Sequence, residues 1–128
     1  MEIRVMDSDS IEVISVNGRV DSVEAPRFDQ ALQDASQRGQ YNLVIDMSEL
    51  KYMSSAGFRA LVAAQRNSRR HQRGDVVLVK VPGLVHEALE MVGFAEHFGI
   101  FEDVPSAVEY LKKDMAGKSA AGDPLEST

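Results

Sequence analysis

At 128 residues the chain is long enough for one hydrophobic core and too short for two ordinary domains. With 44% hydrophobic and 27% charged residues, no long apolar run and no cysteine, it excludes a membrane-spanning helix, a disulfide framework and thiolate metal sites. A formal charge of −6 argues against a general nucleic-acid binder, which needs a basic surface to neutralise phosphate. The opening Met1-Glu-Ile-Arg-Val lacks the basic and apolar regions of a signal peptide, so the expected location is cytoplasmic, with no membrane partner.

Ile3 and Val5, then Ile11, Val13 and Val16, predict two strands paired as a hairpin around the turn-forming Asp7-Ser-Asp-Ser10. Asn17-Gly18 is expected to end the second strand. Asp21-Ser22 then begins a helix with Ala25, Phe28, Leu32 and Ala35 on one face, Pro26 near its first turn and Gly39 at its end. A strand from Tyr41 to Asp46 and a helix from about Ser55 to Gln72 follow. Gly74 is the break before Val76-Val-Leu-Val-Lys-Val81, a continuous apolar run of the kind buried in a parallel sheet.

Pro82-Gly83 opens a third helix with Val85, Ala88, Leu89 and Val92 inward and Gly93 at its end. Phe98 to Phe101 predicts an edge strand, and Pro105 a last helix carrying Ala107, Val108 and Leu111 inward. The expected fold is α/β, one domain over 1–115, with a mixed sheet of four to five strands, an N-terminal hairpin and about four helices. Ala116 to Thr128, small and polar, is expected to be a disordered tail.

The most informative stretch runs from Leu43 to Leu61. A buried strand ending at Asp46 is followed by Ser54 and Ser55, which precede a helix marked by Phe58, Leu61 and Val62. Serine is a favoured N-cap, so one serine here is an ordinary cap. With two adjacent, one can cap while the other is free. A helix start also tolerates a phosphate, because its unpaired N–H groups and partial positive charge favour an anion, and the place suits a phosphoserine switch.

Enzyme chemistry is not apparent. A hydrolase nucleophile elbow needs a first glycine where Met53 stands, although Gly57 fits the second, and a serine triad would have to recruit His71, His86 or His97. His86 and Glu90 have a metal-ligand spacing without a third ligand, and no nucleotide-binding glycine loop occurs, so no catalytic residue, metal or cofactor is assigned. Arg59, Arg66, Arg70 and Arg73 fall along one face of the second helix, with Arg69 and His71 nearby. A solvated outer face accounts for such a row, and a docking stripe for an acidic partner is the lesser reading.

Gly18-Arg-Val-Asp21-Ser22, Val44-Ile-Asp46-Met-Ser48, Tyr52-Met-Ser54-Ser55-Ala-Gly57 and Pro82 to Gly93-Phe94 together resemble the STAS domain of bacterial anti-sigma factor antagonists, over about residues 3 to 113. The resemblance implies a phosphorylation-controlled antagonist. Its unphosphorylated form binds an anti-sigma factor that is also a serine kinase with an ATP-binding fold, using ATP and Mg²⁺. Phosphorylation ends the binding, and a metal-dependent serine phosphatase resets it.

Carried over residue by residue, the phosphoacceptor matches Ser55, the capping position Ser54, and the following glycine Gly57. Asp21 matches an acidic residue near the acceptor, and Asp46 a strand-end position that often holds Asp or Asn. Many family members carry Asp directly before the acceptor, where this chain has Ser54. Ser54 is therefore the rival acceptor and Ser48 a distant third. The implied partner surface comprises Asp21, Ser22, Asp46, Ser54, Ser55 and Gly57. The alternative function is an unswitched interaction module of the same fold, a scaffold or a transporter accessory subunit.

Overall fold

The computed structural model describes residues 1–8, 10–72 and 74–122. β1 (Glu2–Ser8) and β2 (Ile11–Val20) form the expected antiparallel hairpin, with Ile3 opposite Val16 and Val5 opposite Ile14. Asp9, part of the expected turn, lies outside the described residues. The chain continues through α1 (Ala25–Gln37), β3 (Leu43–Asp46), β4 (Leu50–Met53), α2 (Ser55–Gln72), β5 (Val76–Val79) and α3 (Gly83–Met91). A 3₁₀ turn (Ala95–His97), β6 (Ile100–Phe101) and α4 (Val104–Gly122) complete it. Past Met115, where the sequence reading ended the domain, α4 continues to Gly122, and the rest of the expected tail lies outside the described residues.

The sheet is mixed and has six strands, ordered β1-β2-β3-β5-β6 with β4 added to β2, one more than the upper count expected. β1 is antiparallel to β2, and every other pairing is parallel. Because side chains alternate across a strand, the row Ile14, Ile45 and Leu78 faces α1, α2 and α3, while Val13, Val44 and Val77 face α4. β5, buried at all four positions, is covered on both sides, which is why it lacks a polar face. Fully buried Phe28 and Leu61 anchor α1 and α2 to the sheet, each contributing about 1.5–3 kcal/mol by the apolar surface removed from water.

The structure departs from the sequence reading at β2, at β4 and at Val92. Asn17-Gly18 does not end β2. The register shifts between Gly18 and Arg19, and Gly18 adopts φ +90°, a conformation open to glycine without strain, so the strand bulges and continues to Val20. The bulged half of β2 pairs with β4, a strand whose buried–exposed–exposed–buried pattern hides it from a period-two search. Val92, expected on the inner face of the third helix, instead follows α3 as its cap and stays 52% exposed.

Glu12 in β2 is fully buried beneath the end of α1, where Arg38 donates to its carboxylate. A buried carboxylate without such a partner would be costly, so the pair fixes α1 on the sheet and holds the Arg38 guanidinium above its usual pKa through that hydrogen bond.

Candidate functional site

The parallel strands all end on one side of the sheet, and the candidate residues stand on the segments leaving those ends. Val20 and Met53 are register partners at the ends of β2 and β4, so the two chains exit side by side. The Ser54 amide donates to the Val20 carbonyl at 2.8 Å, extending this pairing by one residue. Asp21 and Ser22 therefore leave one strand beside Ser54 and Ser55 leaving the other.

The two serines have different roles in the helix start. Ser54, half-buried, stands directly before α2. Its carbonyl accepts from the Phe58 amide at 3.1 Å and its hydroxyl from the Gly57 amide at 3.4 Å. This is the N-cap arrangement, which satisfies N–H groups that have no partner within the helix. Ser55 is the first residue of α2 and exposed, and among the described residues its hydroxyl has no hydrogen-bond partner. One hydroxyl thus caps the helix and the other is left free, as two adjacent serines allow.

Asp21 is committed to its own turn. Its Oδ1 accepts from the amides of Val23 at 3.1 Å and Glu24 at 2.9 Å, and its carbonyl accepts from Ala25 at 2.9 Å. The turn delays the first helix to Ala25, four residues after Asp21, where the sequence reading began it. Ser22 is exposed and, with Ala25, Pro26, Asp29, Ala56, Arg59, Ala60 and Ala63, borders an open groove of about 370 Å³ between α1 and α2. Gly57 is buried. A Cβ there would lie 2.6 Å from Met53 Cγ and 3.1 Å from Val20 Cγ1, so its bare backbone lets α2 pack onto the ends of β2 and β4.

Asp46 ends β3, and its Oδ1 accepts from the Ser48 amide at 3.0 Å, shaping the turn into β4. It makes no hydrogen bond to Ser54 or Ser55. Ser48 is exposed on that turn. The structure thus gathers Asp21, Ser22, Ser54, Ser55 and Gly57 around one strand exit and sets Asp46 on the neighbouring one.

Tyr52 is an addition to the sequence-derived surface. It stands 41% exposed on β4, with the Arg19 guanidinium 4.4 Å from its ring centroid. The pairing of β2 with β4 creates this contact, and neither residue carries a local signal for it. His86 Nδ1 and Glu90 Oε2 are 3.7 Å apart on α3, and among the described residues no group of three or more His, Cys, Asp or Glu could hold a metal ion.

A second polar cluster lies at the far end of the sheet. Buried Gln65 donates to Asp75 Oδ1, the Val76 carbonyl and the His97 carbonyl, at 3.0, 3.0 and 2.7 Å, and accepts from the Val76 amide at 2.8 Å. Arg69 approaches Asp75 at 3.6 Å, and the Tyr110 hydroxyl donates to Asp75 Oδ2 at 3.3 Å. Burial first, and the Asp75 charge second, raise the Tyr110 pKa. This network ties α2, β5 and α4 together and takes no part in the serine site. Among the described residues no helix is long and apolar enough to cross a membrane.

The sequence matches the family model of the STAS domain over residues 2–107. It is 29% identical over 96 residues to the anti-sigma-B factor antagonist of Listeria monocytogenes, covering 75% of this chain and 82% of that protein. The fold is similar to that of an anti-sigma factor antagonist from Mycobacterium paratuberculosis, with a TM-score of 0.77 at 23% identity, covering 87% of this chain and 93% of that one. It is also similar to the phosphorylated form of the Bacillus cell fate determinant SpoIIAA, with a TM-score of 0.69 at 14% identity, covering 85% and 98%. With the family model spanning most of its length, the chain belongs to the STAS domain family, alongside bacterial proteins named anti-sigma factor antagonists.

Proposed function

We propose that this protein is a phosphorylation-controlled anti-sigma factor antagonist: a cytoplasmic binding module, not an enzyme, whose unphosphorylated form binds an anti-sigma factor with serine kinase activity. The observation that carries the reading is the division of labour between Ser54, bound as the cap of α2, and Ser55, exposed with an uncommitted hydroxyl. Phosphorylation of Ser55 adds about −1.5 to −2 charge and three acceptor oxygens to the centre of the surface formed with Asp21 and Ser22. The helix N-terminus stabilises that charge locally, so the fold stays intact while a partner fitted to the bare hydroxyl is repelled. A metal-dependent phosphatase removes the group. The relatedness to proteins named anti-sigma factor antagonists supports the choice of partner class, and the fold shared with a protein solved in a phosphorylated form supports the mode of control.

The test uses the wild-type chain and Ser55→Asp as baits in lysate of the source organism, with the captured proteins identified by mass spectrometry. Capture of an ATP-dependent serine kinase by wild type, and its loss with Ser55→Asp, is the expected result. Equal capture by both removes the switch and leaves an unswitched scaffold or transporter accessory module. Labelling of Ser55→Ala by that kinase and ATP, at full stoichiometry, moves the acceptor to Ser54.

A further inference from the structure

Arg4, Arg27, Arg38 and Arg69 each face a carboxylate, and Arg19 lies over the Tyr52 ring. Arg59, Arg66 and Arg70 differ. All three are exposed on α2, and among the described residues their side chains make no ion pair, hydrogen bond or ring contact. Arg73 of the same sequence row lies outside the described residues. At about 100° per residue, Arg59, exposed Ala63, Arg66 and Arg70 share a wedge of roughly 60° that runs about 16 Å along the helix. The wedge starts one turn beyond Ser55, where Arg59 also borders the groove between α1 and α2.

A solvated outer face does not require this arrangement. The chain carries a net charge of −6, yet its described arginines without a partner are concentrated on one helix face. Arg66 and Arg70, one turn apart with no carboxylate in contact, repel each other, and a surface of opposite sign relieves that repulsion. An acidic protein attracts an acidic partner only through such a patch. Arg also suits bidentate contact with carboxylates.

We infer that the Arg59–Arg66–Arg70 face of α2 docks an acidic segment of a protein partner, its carboxylates on the three guanidinium groups and its apolar side chains over Ala63 and the groove beside it. The inference rests on the proposed function in taking this partner to be the one that reads Ser55. A phosphate on Ser55 would stand four residues from Arg59 and compete for that cation, while Arg66 and Arg70 lie beyond its reach. Partner docking and phosphorylation therefore meet at Arg59.

The test places a photo-crosslinking amino acid at Ala63 of the full-length chain, expressed in the source cells, and sequences the peptide joined to it. A peptide rich in Asp and Glu is expected, its yield falling at least five-fold when the same chain carries R66E and R70E. A peptide without acidic excess, a nucleic-acid adduct, no adduct, or a yield unchanged by the two reversals overturns the inference. Both arginines are exposed and unpaired, so circular dichroism of the doubly substituted chain should match wild type. Ser55→Asp separates the two readings. An acidic adduct that responds to R66E and R70E but not to Ser55→Asp keeps the docking face and removes the switch. Loss with Ser55→Asp alone keeps the switch and removes the docking face.

Discussion

The hydroxyl of Ser54 accepts the amide of Gly57 across 3.4 Å, and the carbonyl of Val20 holds the Ser54 amide at 2.8 Å. Ser54 thus joins a strand end to a helix start, whereas Ser55 contributes no hydrogen bond from its side chain. Ser54→Ala should lower stability by about 0.5–1 kcal/mol, the lower part of the range for a lost cap because the bond is long. Ser55→Ala, at an exposed position, should stay within about 0.5 kcal/mol of wild type. Urea unfolding of the two variants checks this, and a larger loss for Ser55→Ala would reverse the assigned roles.

Gly57→Ala sets two effects against each other. Alanine gains at most about 1 kcal/mol of helix propensity, and less in the first turn, while overpacking typically costs about 1–3 kcal/mol. The Cβ would meet Met53 Cγ, an inner carbon of that side chain, at 2.6 Å, so overpacking wins and the variant should be less stable by about 1–2 kcal/mol. In a double-mutant cycle with Met53→Ala, the combined loss should be smaller than the sum of the single losses, since the second substitution removes the obstructing atoms.

Asp21→Ala removes an acceptor shared by two amides and should cost about 1–2 kcal/mol, while Asp21→Asn, which keeps a carbonyl oxygen, should recover most of it. Thermal unfolding distinguishes them. If alanine proves neutral, the turn before α1 is held by its backbone bond from Ala25 to Asp21 alone.

Tyr110 should make stability fall at high pH. Its folded pKa is raised above the ordinary value of 10.0, so the neutral hydroxyl is the form the folded chain prefers. That contribution is fully present below pH 10 and is lost as pH rises through the folded pKa. Stability measured from pH 8 to 11 should therefore fall at the top of the range, and Tyr110→Phe should flatten that decline.

Gln65→Leu should be among the more damaging single substitutions, by about 2–4 kcal/mol, because the Val76 amide and carbonyl and the His97 carbonyl would lose the partner they share. A loss below about 1 kcal/mol in denaturant unfolding would show that water replaces the side chain there.

The inward faces of α1 and α2 were legible because helical periodicity reports burial directly: Phe28, Leu32, Leu61 and Val62 are all in the core. The serine pair was legible because capping is a local rule, and its chemistry needs only the next turn of chain. Non-local pairing was not legible. β4 exists because the second half of β2 offers it a ladder, and Gly18, which suggested a strand end, is the residue that keeps the strand going. The burial of Glu12 was not legible either, since its partner Arg38 comes from the distant end of α1. Arg69, which the sequence sets near the basic row, is taken up by Asp75 and the His97 carbonyl, contacts its helix alone does not announce.

The bulge at Gly18 divides β2 into two parts with different neighbours. Ile11 to Asn17 pairs with β1, and Glu12 to Ser15 also with β3, while Gly18 to Val20 pairs with β4. Because the β4 ladder is short, opening it should cost less than opening the hairpin or the parallel centre. Amide hydrogens near Val20, Met53 and Ser54 should then exchange with solvent far faster than those of Val13 and Ile14. By that measure the serine-bearing end of the molecule should loosen before the domain unfolds.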